Sequence, residues 1–109
     1  MELKKVEQLF NQMSDFDNLK KNATEYIKNI LLESDTNFLS KEVTDEACSL
    51  KQLRVEYNRT HLLINESGRM PYFRLEFYLY EYNSETPKYI YEIEYNCSGE
   101  FLDEYFLEY

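Results

Sequence analysis

Between Tyr72 and Tyr95 the chain reads YFRLEFYLYEYNSETPKYIYEIEY, and its apolar residues recur at every second position. Successive side chains of a strand point to opposite sides of a sheet, so this period reads as β structure. Phe73, Leu75, Phe77 and Leu79 fall on one face, with Arg74, Glu76, Tyr78, Tyr80 and Tyr82 on the other. Asn83-Ser84-Glu85-Thr86-Pro87 is a turn. After it Tyr89, Tyr91, Ile93 and Tyr95 share a face, opposite Lys88, Ile90, Glu92 and Glu94. The unit is a hairpin with one core face and one face of tyrosine and charge.

Upstream the period is different. Val6, Leu9, Phe10, Met13, Phe16, Leu19, Ala23, Tyr26, Ile27, Ile30 and Leu31 recur at spacings of three and four, which is helical. Ser14, with Asp17 three positions on, offers an N-cap, so residues 1–33 form either one long helix or a pair broken near Ser14. Residues 34–49 are polar and rich in turn formers, a connector in which Ser40 can cap a short helical turn reaching Ala47. From Leu50 the period is two again. Leu53, Val55 and Tyr57 alternate with Arg54 and Glu56, and HLLIN follows Asn58-Arg59-Thr60, giving one long bent strand or two short ones. Asn65-Glu66-Ser67-Gly68 is a turn, and Pro71 suits the start of a strand. In EFLDEYFLEY two periods compete, since Phe101, Tyr105, Leu107 and Tyr109 suit a strand and Leu102, Tyr105, Phe106 and Tyr109 suit a helix. The tight turn Asn96-Cys97-Ser98-Gly99 before it favours the strand. The expectation is one α+β domain over residues 1–109. In it an N-terminal helix or helix pair packs on a four- to five-stranded antiparallel meander whose far face is partly open to water.

Charge narrows the partners. Of a net −9, residues 1–74 contribute −1, and residues 75–109, with nine acids and Lys88 as their one base, contribute −8. Nine of the eleven tyrosines also lie at or after Tyr72. Such a field repels nucleic acid and anionic lipid and draws in a basic protein surface. MELKKVEQLF is not a secretory signal, no apolar run approaches a membrane span, and the cysteines are only Cys48 and Cys97. A cytoplasmic chain with reduced thiols is expected.

Catalytic material is scarce. His61, the only histidine, sits in a strand pattern beside Leu62 and Leu63, with no Ser or Cys motif near it, and reads as structural. Gly68 and Gly99, the only glycines, cannot build a phosphate-cradling loop. Glu76, Glu92 and Glu94 could share a sheet face, but no calcium-loop spacing accompanies them, and they read as a solvated acidic face. No enzyme activity, metal or cofactor is expected. Tyr89, Tyr91 and Tyr95 are accounted for by packing. Tyr78, Tyr80 and Tyr82, on the face opposite the core residues, suit either a protein-binding surface or a second packed layer.

The stretch YLYEYNSETPKYIYEIEYNCSGEFLDEYFLEY, in a small, acidic α+β chain, resembles the bacterial immunity proteins that neutralise nuclease toxins, including those of contact-dependent growth inhibition. The resemblance is one of size, charge and architecture. It implies a one-to-one complex with a cognate toxin domain, whose basic active site the acidic surface covers. The candidate contacts are Glu76, Tyr78, Tyr80 and Tyr82, with Glu92 and Glu94 on the adjacent strand and Asp103, Glu104 and Glu108 near the end. Two alternatives stay open: a phage-type nucleic-acid mimic that inhibits a host nuclease, and a small ligand-binding or homodimeric α+β domain. Monomer and homodimer are equally compatible with the sequence.

Overall fold

The computed structural model describes residues 16–42, 49–64 and 70–109. Its first helix, α1 (Phe16–Leu32), buries Ala23, Ile27 and Leu31, three residues spaced four apart and therefore on one stripe. Phe16, Leu19 and Ile30 pack beside that stripe. Beyond α1, Asn37 ties two ends together. Its side-chain amide donates to the Ile30 carbonyl at 2.7 Å, and its Oδ1 accepts the Leu39 N–H at 3.0 Å. One side chain thus serves an unpaired carbonyl at the end of α1 and an unpaired N–H at the start of the short helix α2 (Leu39–Glu42). The capping role expected of Ser40 belongs to Asn37, because α2 begins one residue before Ser40. The segment is also more than a connector, since Leu39 is completely buried in the core. The expected break near Ser14, the apolar residues before it and the turn's extension to Ala47 lie outside the described residues.

A 3₁₀ turn, Leu50–Gln52, leads into four strands: β1 (Arg54–Leu63), β2 (Tyr72–Tyr80), β3 (Tyr89–Asn96) and β4 (Phe101–Glu108). They pair antiparallel in the order β1-β2-β3-β4. The chain is an α+β fold, a helix on a four-stranded antiparallel meander. β1 is one bent strand, and the bend is a bulge between Tyr57 and Arg59 that restores the alternation broken in the sequence at Asn58.

The inner face forms as its period requires. Phe73, Leu75, Phe77 and Leu79 are opposite Tyr95, Ile93, Tyr91 and Tyr89, and all eight are buried. α1 lies across this face. Lys20 reaches toward β1, its ammonium 4.7 Å from the Tyr57 ring centroid, while the Tyr26 hydroxyl donates to Glu104 on β4 at 2.5 Å. Among the described residues, no helix is long and apolar enough to cross a membrane.

Phe101–Glu108 is strand, and a second bulge explains why two periods competed there. Asp103 pairs with Glu94 and Phe101 with Tyr95, so Leu102 is the extra residue. Phe101 therefore shares the inner face with Glu104 and Phe106, while Asp103, Tyr105 and Leu107 face outward. The expected grouping of Phe101 with Tyr105, Leu107 and Tyr109 is corrected accordingly. The turn before β4 is held by Asn96, whose Oδ1 accepts the Ser98 and Glu100 N–H groups, each at 2.9 Å. Gly99 follows at φ +81°, a conformation that L side chains adopt with strain.

Candidate protein-binding surface

The outer face of the sheet is made by register. Arg74 lies opposite Glu94 on β3 and His61 on β1, and Glu76 lies opposite Glu92 and Arg59. Glu76 is only 4% exposed, and a carboxylate so covered is costly unless it is paired. It is paired three times: Asn58 Nδ2 donates to it at 3.0 Å and Arg59 Nε at 3.2 Å, and His61 Nε2 lies 2.9 Å away. Burial alone would raise its pKa, but the bonds to His61, Arg59 and Asn58 outweigh burial and hold it below the ordinary glutamate value.

Arg74 organises the neighbouring acids. Its Nη2 donates to Glu94 Oε1 at 2.9 Å, and its Nε is 3.6 Å from Glu92 Oε2, a coulombic contact beyond hydrogen-bond length. Its guanidinium carbon sits 5.2 Å from the centroid of the Tyr105 ring. Burial lowers the Arg74 pKa, but the bond to Glu94 and the charges of Glu94 and Glu92 together outweigh it, and the net direction is upward. The Tyr105 hydroxyl donates to Asp103 Oδ2 at 3.2 Å, and its pKa is pushed up to about 12, first by Glu94, then by burial and Asp103. Glu76, Glu92 and Glu94 thus belong to an ion-paired cluster that closes upon itself and leaves little charge to offer outward. The expected solvated acidic face is in fact a half-buried network, because register places Arg59 and His61 beside Glu76 and Arg74 beside Glu92 and Glu94.

The tyrosines divide too. Tyr78 makes edge contacts with Tyr80 and Tyr109, at centroid distances of 6.4 Å and 5.6 Å. Arg54 stacks on Tyr80 at 4.6 Å. Tyr82 does not continue that face. The ladder ends at the Leu79–Tyr89 pair, with Lys88 N–H donating to the Leu79 carbonyl at 2.8 Å, and Tyr82 lies in the following turn, 84% exposed. Asn83, at φ 60°, turns the chain there.

Among the described residues, the three carboxylates of β4 have no cationic partner. Glu104 is spent internally, accepting hydrogen bonds from the hydroxyls of Tyr26 and Tyr91. Burial and then Glu104 push the Tyr26 pKa up to about 12, and the same two causes raise that of Tyr91. Asp103 Oδ1 accepts the Glu104 N–H at 2.8 Å and stays exposed, as does Glu108. Around them Phe101, Leu102, Leu107 and Tyr109 are each roughly half exposed or more, at 50%, 49%, 46% and 64%. By register Asp103 and Leu107 lie on the outer side of the strand and Phe101 and Glu108 on the inner side, and β4 itself carries acid and no base.

Of the residues singled out in the sequence, the structure brings Glu76, Glu92 and Glu94 together around Arg59, His61 and Arg74. It sets Tyr78 and Tyr80 with Tyr109, and it separates Tyr82 from both groups. Arg74, Arg59 and Asn58 escaped sequence reasoning. The available signal was Arg74 itself, a base in the middle of a strand otherwise rich in aromatics. Among the described residues, no group of three or more His, Cys, Asp or Glu side chains could hold a metal ion. Cys97 is a free thiol whose Sγ donates to the Pro71 carbonyl at 2.9 Å, with its pKa raised by burial. No protein-family model, curated protein or solved structure matches the chain.

Proposed function

We propose that the chain is an inhibitor of the immunity-protein kind, which acts in the cytoplasm by binding a basic toxin domain, a nuclease, rather than by catalysis. One observation carries this reading: the edge strand β4 offers Asp103 beside the exposed Leu107 and Tyr109 on its outer side and Glu108 on its inner side, two carboxylates with no cationic partner among the described residues. Apolar contact area gives such a complex its lifetime, and unpaired acid next to it speeds encounter with a basic partner. Tyr78 and Tyr80 extend the same surface through Tyr109. Glu76, Glu92, Glu94 and Glu104 act indirectly, by holding the sheet and helix in shape. In the complex, acid groups of β4 stand where the toxin's nucleic-acid phosphates would otherwise sit.

The test is co-expression with the product of the gene immediately upstream, followed by purification and a growth assay. A one-to-one complex, and survival of cells that express both, is the expected result. A toxic upstream product that neither binds the chain nor is silenced by it overturns the reading.

A further inference from the structure

β4 is an edge strand, and the alternation of an antiparallel ladder determines where its main chain points. Tyr109 N–H donates to the Lys88 carbonyl at 3.1 Å, so Tyr109, Leu107, Tyr105 and Asp103 direct their peptide groups toward β3. Those of Glu104, Phe106 and Glu108 then point the other way, where no described strand lies. The Glu104 N–H confirms the direction, because it is taken by its neighbour's side chain, Asp103 Oδ1 at 2.8 Å, and not by a strand.

Unguarded edges are uncommon, since lysines, prolines and bulges usually blunt them. The opposite edge, β1, follows that practice with its bulge between Tyr57 and Arg59 and with Arg54 and Arg59 along its length. On β4 the bulge lies at the Leu102 end, so Asp103–Glu108 pairs regularly, and the charged residues of Phe101–Glu108 are acids, with neither lysine nor proline. Both faces beside it are also open. On the outer side a groove of ≈ 530 Å³ is lined by Leu102, Asp103 and Tyr105 of β4 together with Arg74 and Glu94. On the inner side Phe101, Tyr95 and Tyr26 line another of ≈ 360 Å³. A strand laid along β4 would send alternate side chains to these two sides.

We propose that β4 receives an extended basic segment of the partner as a fifth strand of the sheet. The main-chain groups of Phe106 and Glu108 supply the hydrogen bonds, and the incoming strand displaces the Asp103 carboxylate from the Glu104 N–H. Charge selects the occupant. A second copy of this chain would bring another Asp103, Glu104 and Glu108 with no base among them, whereas a strand carrying lysine or arginine meets acid on both sides. The proposal takes the sign of the partner's charge from the function proposed above, and adds the mode of attachment.

The test uses the full chain and a short synthetic peptide of alternating lysine and valine, with an alternating glutamate and valine peptide as control. Amide hydrogen exchange is followed residue by residue by NMR. The lysine peptide is expected to slow exchange at Phe106 and Glu108 by about ten-fold or more, leaving β1 unchanged. Glu108→Pro, which removes one outward N–H at an exposed position, should weaken binding by about ten-fold. Binding that leaves the β4 amides unprotected, or that protects β1 instead, overturns strand addition while the acidic-surface function survives. Equal binding of the glutamate peptide overturns the charge argument. No binding at millimolar peptide overturns the proposal, and so does a free chain that sediments as a dimer with Phe106 and Glu108 already protected.

Discussion

Replacing Glu104 by alanine should destabilise the fold far more than replacing Glu108, four residues along the same strand. Glu104 accepts the hydroxyls of Tyr26 on α1 and Tyr91 on β3, so it joins the helix to two strands. Tyr91 is completely buried, and without its acceptor the hydroxyl pays a desolvation cost of roughly 1–3 kcal/mol. Tyr26 is 36% exposed and can turn to water, so its lost charge-assisted bond adds only about 1 kcal/mol. The total is about 2–4 kcal/mol, which for a domain of this size lowers Tm by roughly 8–16 °C. Glu104→Gln retains an acceptor oxygen and should lose about half as much. Glu108 is exposed and accepts no side-chain bond among the described residues, so Glu108→Ala should stay within about 0.5 kcal/mol of the parent chain. Urea unfolding followed by circular dichroism measures all three. If Glu104→Ala is as stable as Glu108→Ala, the division of β4 acids into internal and outward groups is wrong.

Three further outcomes follow from the same contacts. Tyr26 and Tyr105 bind their protons more tightly in the fold, where they titrate at about 12, than in the unfolded chain, where tyrosine titrates near ~10. Their contribution to stability is therefore complete below the unfolded value and is lost as pH rises through the folded one, and Tyr26→Phe should flatten that alkaline decline in the unfolding free energy. Glu76 has the opposite sign: its depressed pKa contributes stability above the unfolded glutamate value, and that part is lost as pH falls through the folded one. An acid titration of Glu76→Gln should show a shallower acid limb than the parent, and an identical limb would remove the assigned role. Gly99→Ala should cost about 1 kcal/mol in urea unfolding, all of it from backbone strain, since an added Cβ meets nothing within 4 Å.

The parts of this fold legible in the sequence are those a short-range period encodes. Phe73 to Leu79 and Tyr89 to Tyr95 alternate without interruption, and both form regular strands in which the expected face is core. What escaped depends on which residues of different strands come to lie opposite one another. The bulge at Asn58 decides that Arg59 and His61 both reach Glu76, and nothing within β1 alone contains that information. Likewise the bulge at Leu102 turns Glu104 inward toward Tyr26 and Tyr91, so that an acid read from the sequence as a partner contact acts as an internal tie. Tyr82 shows the converse failure, since alternation in the sequence ran past the last rung of the ladder. The acidity of the C-terminal third was visible at once. Its division into paired and unpaired carboxylates needed register.

The most direct measurement is the association rate of the chain with the product of its upstream gene, taken by stopped flow across a range of ionic strength. Asp103→Lys combined with Glu108→Lys should slow association by about ten-fold or more at low salt and flatten its salt dependence. Parent and double variant that associate at the same rate and with the same salt dependence would contradict the claim that the unpaired carboxylates of β4 draw the partner in.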